Sequence, residues 1–209
     1  MQIFISLLFF CGVARAQDPA LLPSIIPPEP SRTWMFSASA ANYFLPGDYY
    51  VQPTITVDRG WLHLEGRYNY EDRKTGSAWV GYNFSAGRTV SLSLTPMIGG
   101  VFGRTEGVAP GYRASLGWRR FQLYSEGEYV FNTDEETDSF FYTWSELTFR
   151  PLNWLEAGGV GQRTRAYHSE REIQRGVLVR VNLKRFGITA NAFNLDEDPF
   201  YVLSVNFEF

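Results

Sequence analysis

Cysteine is almost missing from this chain: of its 209 residues only Cys11 is a thiol. No disulfide and no thiolate metal site can be built from one cysteine. Histidine is nearly as scarce, with only His63 and His168 available. No glycine loop of the phosphate-cradling kind occurs, no histidine–carboxylate cluster has metal-ligand spacing, and no basic stretch interleaves with aromatics. Those gaps argue against nucleotide, structural-metal and nucleic-acid chemistry, and no cofactor is expected. Long hydrophobic runs are also missing after residue 17: none approaches the roughly 18 residues that a spanning helix needs. Mean hydropathy is −0.21 and the formal net charge is −3. A length of 209 residues is that of one domain.

The first segment reads as an export signal. Residues 3–13 form a short apolar run, and Ala14-Arg15-Ala16 before Gln17 has the small-x-small pattern of a cleavage site. No Lys or Arg precedes the run, so its leading positive charge is the α-amino group. Cys11 follows Leu8-Phe9-Phe10, and the bulky phenylalanines stand where a lipoprotein signal needs small residues, which argues against lipidation. Five prolines between Asp18 and Ser31 suit an extended tail. The expected organisation is therefore a signal peptide at 1–16, a proline-rich periplasmic tail at 17–32 and a folded unit at 33–209.

What the chain does have is aromatic residues, at 17%, and 19 glycines, set in segments that alternate apolar with small or polar side chains. Val177, Val179, Val181 and Leu183 oppose Leu178, Arg180, Asn182 and Lys184, while Val90-Ser91-Leu92-Ser93-Leu94-Thr95 repeats the pattern. Twelve such strands are expected, near 33–44, 49–58, 60–71, 76–85, 89–99, 110–119, 121–131, 139–150, 153–167, 175–185, 187–195 and 199–209. Ten is the nearest alternative count. Only helices and closed sheets satisfy every backbone group in lipid, so a membrane protein without spanning helices must be a barrel. The connections sort by charge. Arg119-Arg120, Arg150-Pro151 and Lys184-Arg185 mark short basic turns on one side, whereas 133–138 and Asp196-Glu197-Asp198 mark longer acidic loops on the other. Gly99 to Pro110 reads as the longest loop. The eighth strand is ambiguous, because Phe140, Tyr142 and Trp144 share a face with Glu146, and Gly158, Gly159 and Gly161 suggest a bulge and a change of parity in the ninth.

In the final strand, Tyr201, Leu203, Val205, Phe207 and Phe209 share one face and Ser204, Asn206 and Glu208 the other. This ending resembles the terminal strand of bacterial outer-membrane proteins, in which an alternating segment closing on Phe is read by the insertion machinery. The resemblance implies an antiparallel up-and-down transmembrane β-barrel in the outer membrane. Its partners would be that machinery, outer-membrane lipid and lipopolysaccharide. A soluble secreted β-sandwich or barrel is the structural alternative.

Placing the aliphatic face outward leaves a charged set for the lumen: His63, Glu65, Arg67 and Asn69, then Arg113 and Arg119, then Gln122, Glu126 and Glu128, then Arg180, Asn182 and Lys184. Arg163 and Arg165 are expected to join them. Mixed signs favour Arg–Glu pairs that hold the lumen shut or line a narrow solute channel. Two weaker sites complete the candidates. His168, Ser169 and Glu170 carry the residue types of acyl-transfer chemistry, and so of an outer-leaflet lipid-modifying enzyme, but neighbours on a strand face opposite ways. Asp134, Glu135, Glu136 and Asp138 could hold a divalent cation, or be bridged through one to lipid phosphates, but lack calcium-loop spacing.

Overall fold

The computed structural model describes residues 33–133, 139–166, 172–196 and 198–209. The signal segment, the proline-rich tail, His168, Ser169, Glu170 and the acidic group at 134–138 lie outside the described residues. All the regular structure described is strand: β1 (Met35–Leu45), β2 (Asp48–Arg59), β3 (Leu62–Tyr68), β4 (Thr75–Tyr82), β5 (Phe84–Ala86), β6 (Val90–Gly103), β7 (Gly107–Trp118), β8 (Phe121–Asn132), β9 (Phe140–Leu152), β10 (Leu155–Ala166), β11 (Glu172–Leu183), β12 (Phe186–Phe193) and β13 (Phe200–Glu208). β4 and β5 are two pieces of one stave interrupted at Asn83, and both pair with β6. The wall therefore has twelve staves. Each pairs antiparallel with its sequence neighbours, and β1 pairs with β13 from Ser37↔Glu208 to Phe44↔Tyr201, which closes the sheet on itself. No edge remains for another chain to extend.

Strand alternation decides which side chains meet which solvent. Ile55, Val80, Ile98, Leu116, Leu123, Leu147, Val177 and Leu203 point outward and are exposed. A barrel standing in water would carry polar residues at such positions; one standing in hydrocarbon carries these. Aromatic side chains ring both ends of the band. On the side of the termini Trp61 stacks on Tyr82 and Phe36 on Phe209 while Phe121 packs tilted on Phe149, and on the opposite side Phe44 packs on Tyr49 and Tyr129 on Phe131. Such girdles mark the two interfaces of a membrane.

Several expected connections move. Gly99 to Pro110 is mostly strand, because β6 runs to Gly103 and β7 resumes at Gly107; only Arg104, Thr105 and Glu106 join them. Glycines there serve packing: a Cβ on Gly99 would lie 2.4 Å from the Trp79 ring, so only glycine lets that indole lie against the strand. The basic turn expected at Arg150-Pro151 falls at Asn153-Trp154, leaving Arg150 and Pro151 inside β9. The bulge expected among the glycines of β10 lies instead in β9, where Arg150 and Pro151 together stand opposite Glu156, while β10 keeps an unshifted register with β11 and does not change parity. Glu156 and Val160 both face inward, buried. Arg163 therefore falls on the outer face, level with exposed Ile173 and 5.8 Å from the centre of the Phe141 ring, and does not join the lumen. The backbone of Arg165 pairs with Phe141, and its side chain lies outside those described.

Candidate functional site

The lumen has three kinds of wall. Toward the outer end, an apolar group fills it from two sides. Tyr43, Trp144, Val160, Leu178, Phe193, Phe200 and Val202 pack together under β1 and β9 to β13. Trp79, Met97, Val101, Ala109 and Val130 pack under β4 and β6 to β8. Phe193 and Val130 are fully buried although both point into the barrel. The ambiguity of β9 is thereby resolved: Tyr142 and Trp144 are interior residues, sharing their face with Glu146, while Leu147 and Phe149 meet the outside.

The second wall is ionic. His63, Glu65 and Arg67 alternate on β3 and so project inward together. His63 Nδ1 lies 2.8 Å from Asp58 and Nε2 3.1 Å from Glu65. Arg67 donates through Nε to Glu65 (2.7 Å) and through Nη1 to Glu128 (2.7 Å), with Glu71 3.7 Å away. Arg113 donates to Glu65 (2.7 Å) and sits 3.4 Å from Glu126. Tyr70 and Tyr124 both donate to Glu126, each at 2.5 Å. Since β4, β6 and β7 separate β3 from β8 around the wall, the Arg67–Glu128 bond can form only across the interior. Shared guanidiniums and convergent hydroxyls are what let several buried carboxylates coexist.

A second ionic group lies toward the termini. Arg180 donates to Glu146 (2.6 Å) and Glu156 (3.3 Å), and Arg150 donates to Glu156 (2.6 Å). Asn182 also donates to Glu156, and Trp144 to Glu146. These partners open onto a vestibule of about 360 Å³ of water-accessible space, edged by Lys184, Arg185, Asn206 and Glu208.

The third wall, along β13, β1 and β2, is made mostly of small side chains, Ser204, Ser39, Ala41 and Thr54, with the longer Gln52 beside them. It faces Arg113, Glu126, Glu146, Tyr70, Tyr124, Tyr142 and Trp144 across a cavity of about 180 Å³. That is many times the roughly 10–15 Å³ needed to admit one water, so the space holds a group of them.

Sequence reasoning placed His63, Glu65, Arg67, Arg113, Glu126, Glu128 and Arg180 inside, and the fold brings the first six into one network while Arg180 joins the second. Gln122 and Asn182 also lie inside, at the terminal end, on the lining of a small recess and of the vestibule. Arg119 and Lys184 do not belong to the lumen wall. Both are hairpin residues with φ of 55°, each following the last residue of its strand, so the backbone turns before the inward position is reached. Arg119 covers the Trp118 ring, and Lys184 edges the vestibule mouth. Asn69, at φ 57°, caps the β3–β4 loop by accepting from Lys74 N and donating to Val51 O. Missed by sequence reasoning were Asp58, Glu71, Glu146, Glu156 and Arg150, and the interior tyrosines Tyr70 and Tyr124. Parity would have found both Glu146, which shares the face of Trp144, and Glu156, which shares that of Val160.

This is a closed twelve-stranded antiparallel barrel of the outer-membrane type. Solved porins share the fold. KdgM porin is 11% identical, with a TM-score of 0.60, over 83% of this chain and 99% of that one. KdgM porin in complex with disordered oligogalacturonate is 10% identical, with a TM-score of 0.61 and the same coverage. The outer membrane protein Omp33 of Acinetobacter baumannii is 9% identical, with a TM-score of 0.50, over 86% of this chain and 100% of that one. Identities this low speak to fold alone. No protein-family model matches the sequence, and no curated protein matches it.

Proposed function

We propose that this chain is a narrow, non-enzymatic channel of the bacterial outer membrane. It would be exported by the segment at 1–16, with the proline-rich residues 17–32 on the periplasmic side, and inserted through its final strand. The acidic outer loops would face lipopolysaccharide, bridged by divalent cations. The observation that carries the channel reading is the water-accessible cavity beside the β13–β1–β2 wall, a largely polar space that the ionic network and the Arg67–Glu128 bond leave unfilled. A side wall of serine, alanine and threonine leaves room for a solute, and fixed charges opposite give such a passage its selectivity. The apolar group toward the outer end narrows the route, so unit currents should be small.

The test is conductance of the mature chain in planar bilayers, on protein whose unheated and boiled gel mobilities differ. Small discrete steps are expected, and Arg67→Ala with Glu128→Ala should enlarge them by removing the bond that spans the interior. Folded barrels that stay silent both as wild type and as the double variant would refute a channel. A chain that stays in solution without detergent would refute membrane residence itself.

A further inference from the structure

The interior carries more acid than base. Among the described residues, the inward groups Asp58, Glu65, Glu71, Glu126, Glu128, Glu146 and Glu156 form their ion pairs with Arg67, Arg113, Arg150 and Arg180, together with His63, while Lys184, Arg185 and Glu208 stand at the vestibule mouth. Seven carboxylates thus share four guanidiniums. The deficit is visible atom by atom: Glu71 Oε2 and Glu128 Oε1 are buried with no hydrogen-bond partner, although both side chains crowd the one Arg67. A buried carboxylate oxygen without a donor attracts positive charge.

The same region shows which kind of cation it accommodates. The Arg67 guanidinium lies over two rings, 4.2 Å from the centre of Tyr70 and 4.5 Å from that of Trp79, while Glu65 and Glu128 hold its nitrogens. That is an organic cation bound by aromatic faces and carboxylates. The neighbouring cavity presents the same chemistry with room to spare: Tyr43, Tyr70, Tyr124, Tyr142 and Trp144 line it beside Glu126 and Glu146, and Arg113 is its only base. Aromatic rings with nearby carboxylates recognise ammonium and quaternary ammonium groups.

We infer that the cavity binds small organic cations, and that the channel passes them in preference to anionic solutes. The inference rests on the channel reading above. The acidic interior sits behind basic turns, so the preference is set within the lumen and not at the mouth that carries Lys184 and Arg185.

The test is the reversal potential of bilayer currents across gradients of choline chloride and, separately, sodium galacturonate. Choline should exceed chloride in permeability several-fold, and galacturonate should pass less readily than sodium. Glu126→Gln and Glu146→Gln should each lower the choline preference. Because either could disturb folding, Ser39→Lys supplies a second handle: it puts a cation on the small-residue wall without touching the ionic network, and should drive selectivity toward chloride. Ser204→Glu should strengthen the choline preference. Currents that favour chloride or galacturonate in the wild type, or selectivity indifferent to Ser39→Lys and Ser204→Glu, would overturn the inference and leave the channel standing. Folded barrels with no current in any salt would remove both.

Discussion

Replacing Arg67 by alanine is the sharpest perturbation the interior offers. Its side chain is 1% exposed, and the carboxylates it serves, Glu65 and Glu128, are 0% and 2% exposed. Glu65 keeps Arg113 and His63 after the change, and Glu71 keeps the Ser77 hydroxyl at 2.5 Å. Glu128 keeps no ion-pair partner. Removing one side of a buried pair costs about 3–5 kcal/mol, because the remaining charge stays desolvated. With a urea dependence near about 3 kcal/mol/M, the upper end for small proteins, the unfolding midpoint should fall by about 1–1.7 M with the slope unchanged. Urea titration of the barrel in detergent, read by tryptophan emission and gel mobility together, measures this. Arg67→Ala with Glu128→Gln should recover part of the loss, with a coupling of about 1–3 kcal/mol, since the second change removes the stranded charge. A single variant within about 1 kcal/mol of wild type would refute the reasoning, and so would a double variant no better than the single.

Three further outcomes follow from the wall. Leu147, outward and in the middle of β9, should tolerate arginine poorly, at a cost of about 2–4 kcal/mol in a bilayer, whereas arginine at inward Ser204 should cost far less; equal effects in lipid refolding titrations would reverse the assigned faces. Gly99→Ala would push a methyl into the Trp79 ring and loosen its stack on Arg67, so it should destabilise by about 1–3 kcal/mol and shift the tryptophan emission; an unchanged spectrum would contradict the contact. Phe209→Ala removes the ring stacked 5.8 Å from Phe36 while the paired backbone bonds Phe209 N to Phe36 O and Phe36 N to Phe209 O remain possible; slower assembly into lipid vesicles is expected, and assembly at the wild-type rate would count against a role for the stack.

Strand number and facing were legible because a barrel wall imposes one repeat everywhere: inward and outward positions alternate, and hydrocarbon accepts only one class of side chain. The expected strand bounds consequently fall close to those of β1 to β13. Where the reading failed, a local backbone event had cancelled the repeat. Arg119 and Lys184 look like the next inward positions of their strands, but a left-handed φ turns the chain first. Arg163 is the reverse case: the glycines of β10 suggest a break, but the bulge falls in β9 and β10 keeps its alternation, so position 163 stays outward. The apolar filling of the outer end was the least legible feature. Phe193, Leu178 and Val130 obey no outward rule; they are inside because opposing staves bring them together, and periodicity in one strand carries no information about the strand across the barrel.

The cavity borders the seam where β1 meets β13, residues 171 positions apart in the chain at Ser37↔Glu208. Closing a loop that long carries an entropic cost that grows only logarithmically with length, but it must be met before the pairing returns anything. Ser39, Ala41 and Ser204 are therefore cavity wall and closing seam at once: the void they border does not exist until the first and last staves have paired. A barrel arrested one stave short would be a slit sheet and not a smaller barrel, open to lipid along the side where the cavity lies. Any substitution that widens the cavity on this side must act on the very pairs that complete the ring, and that couples the size of the void to how reliably the barrel can close.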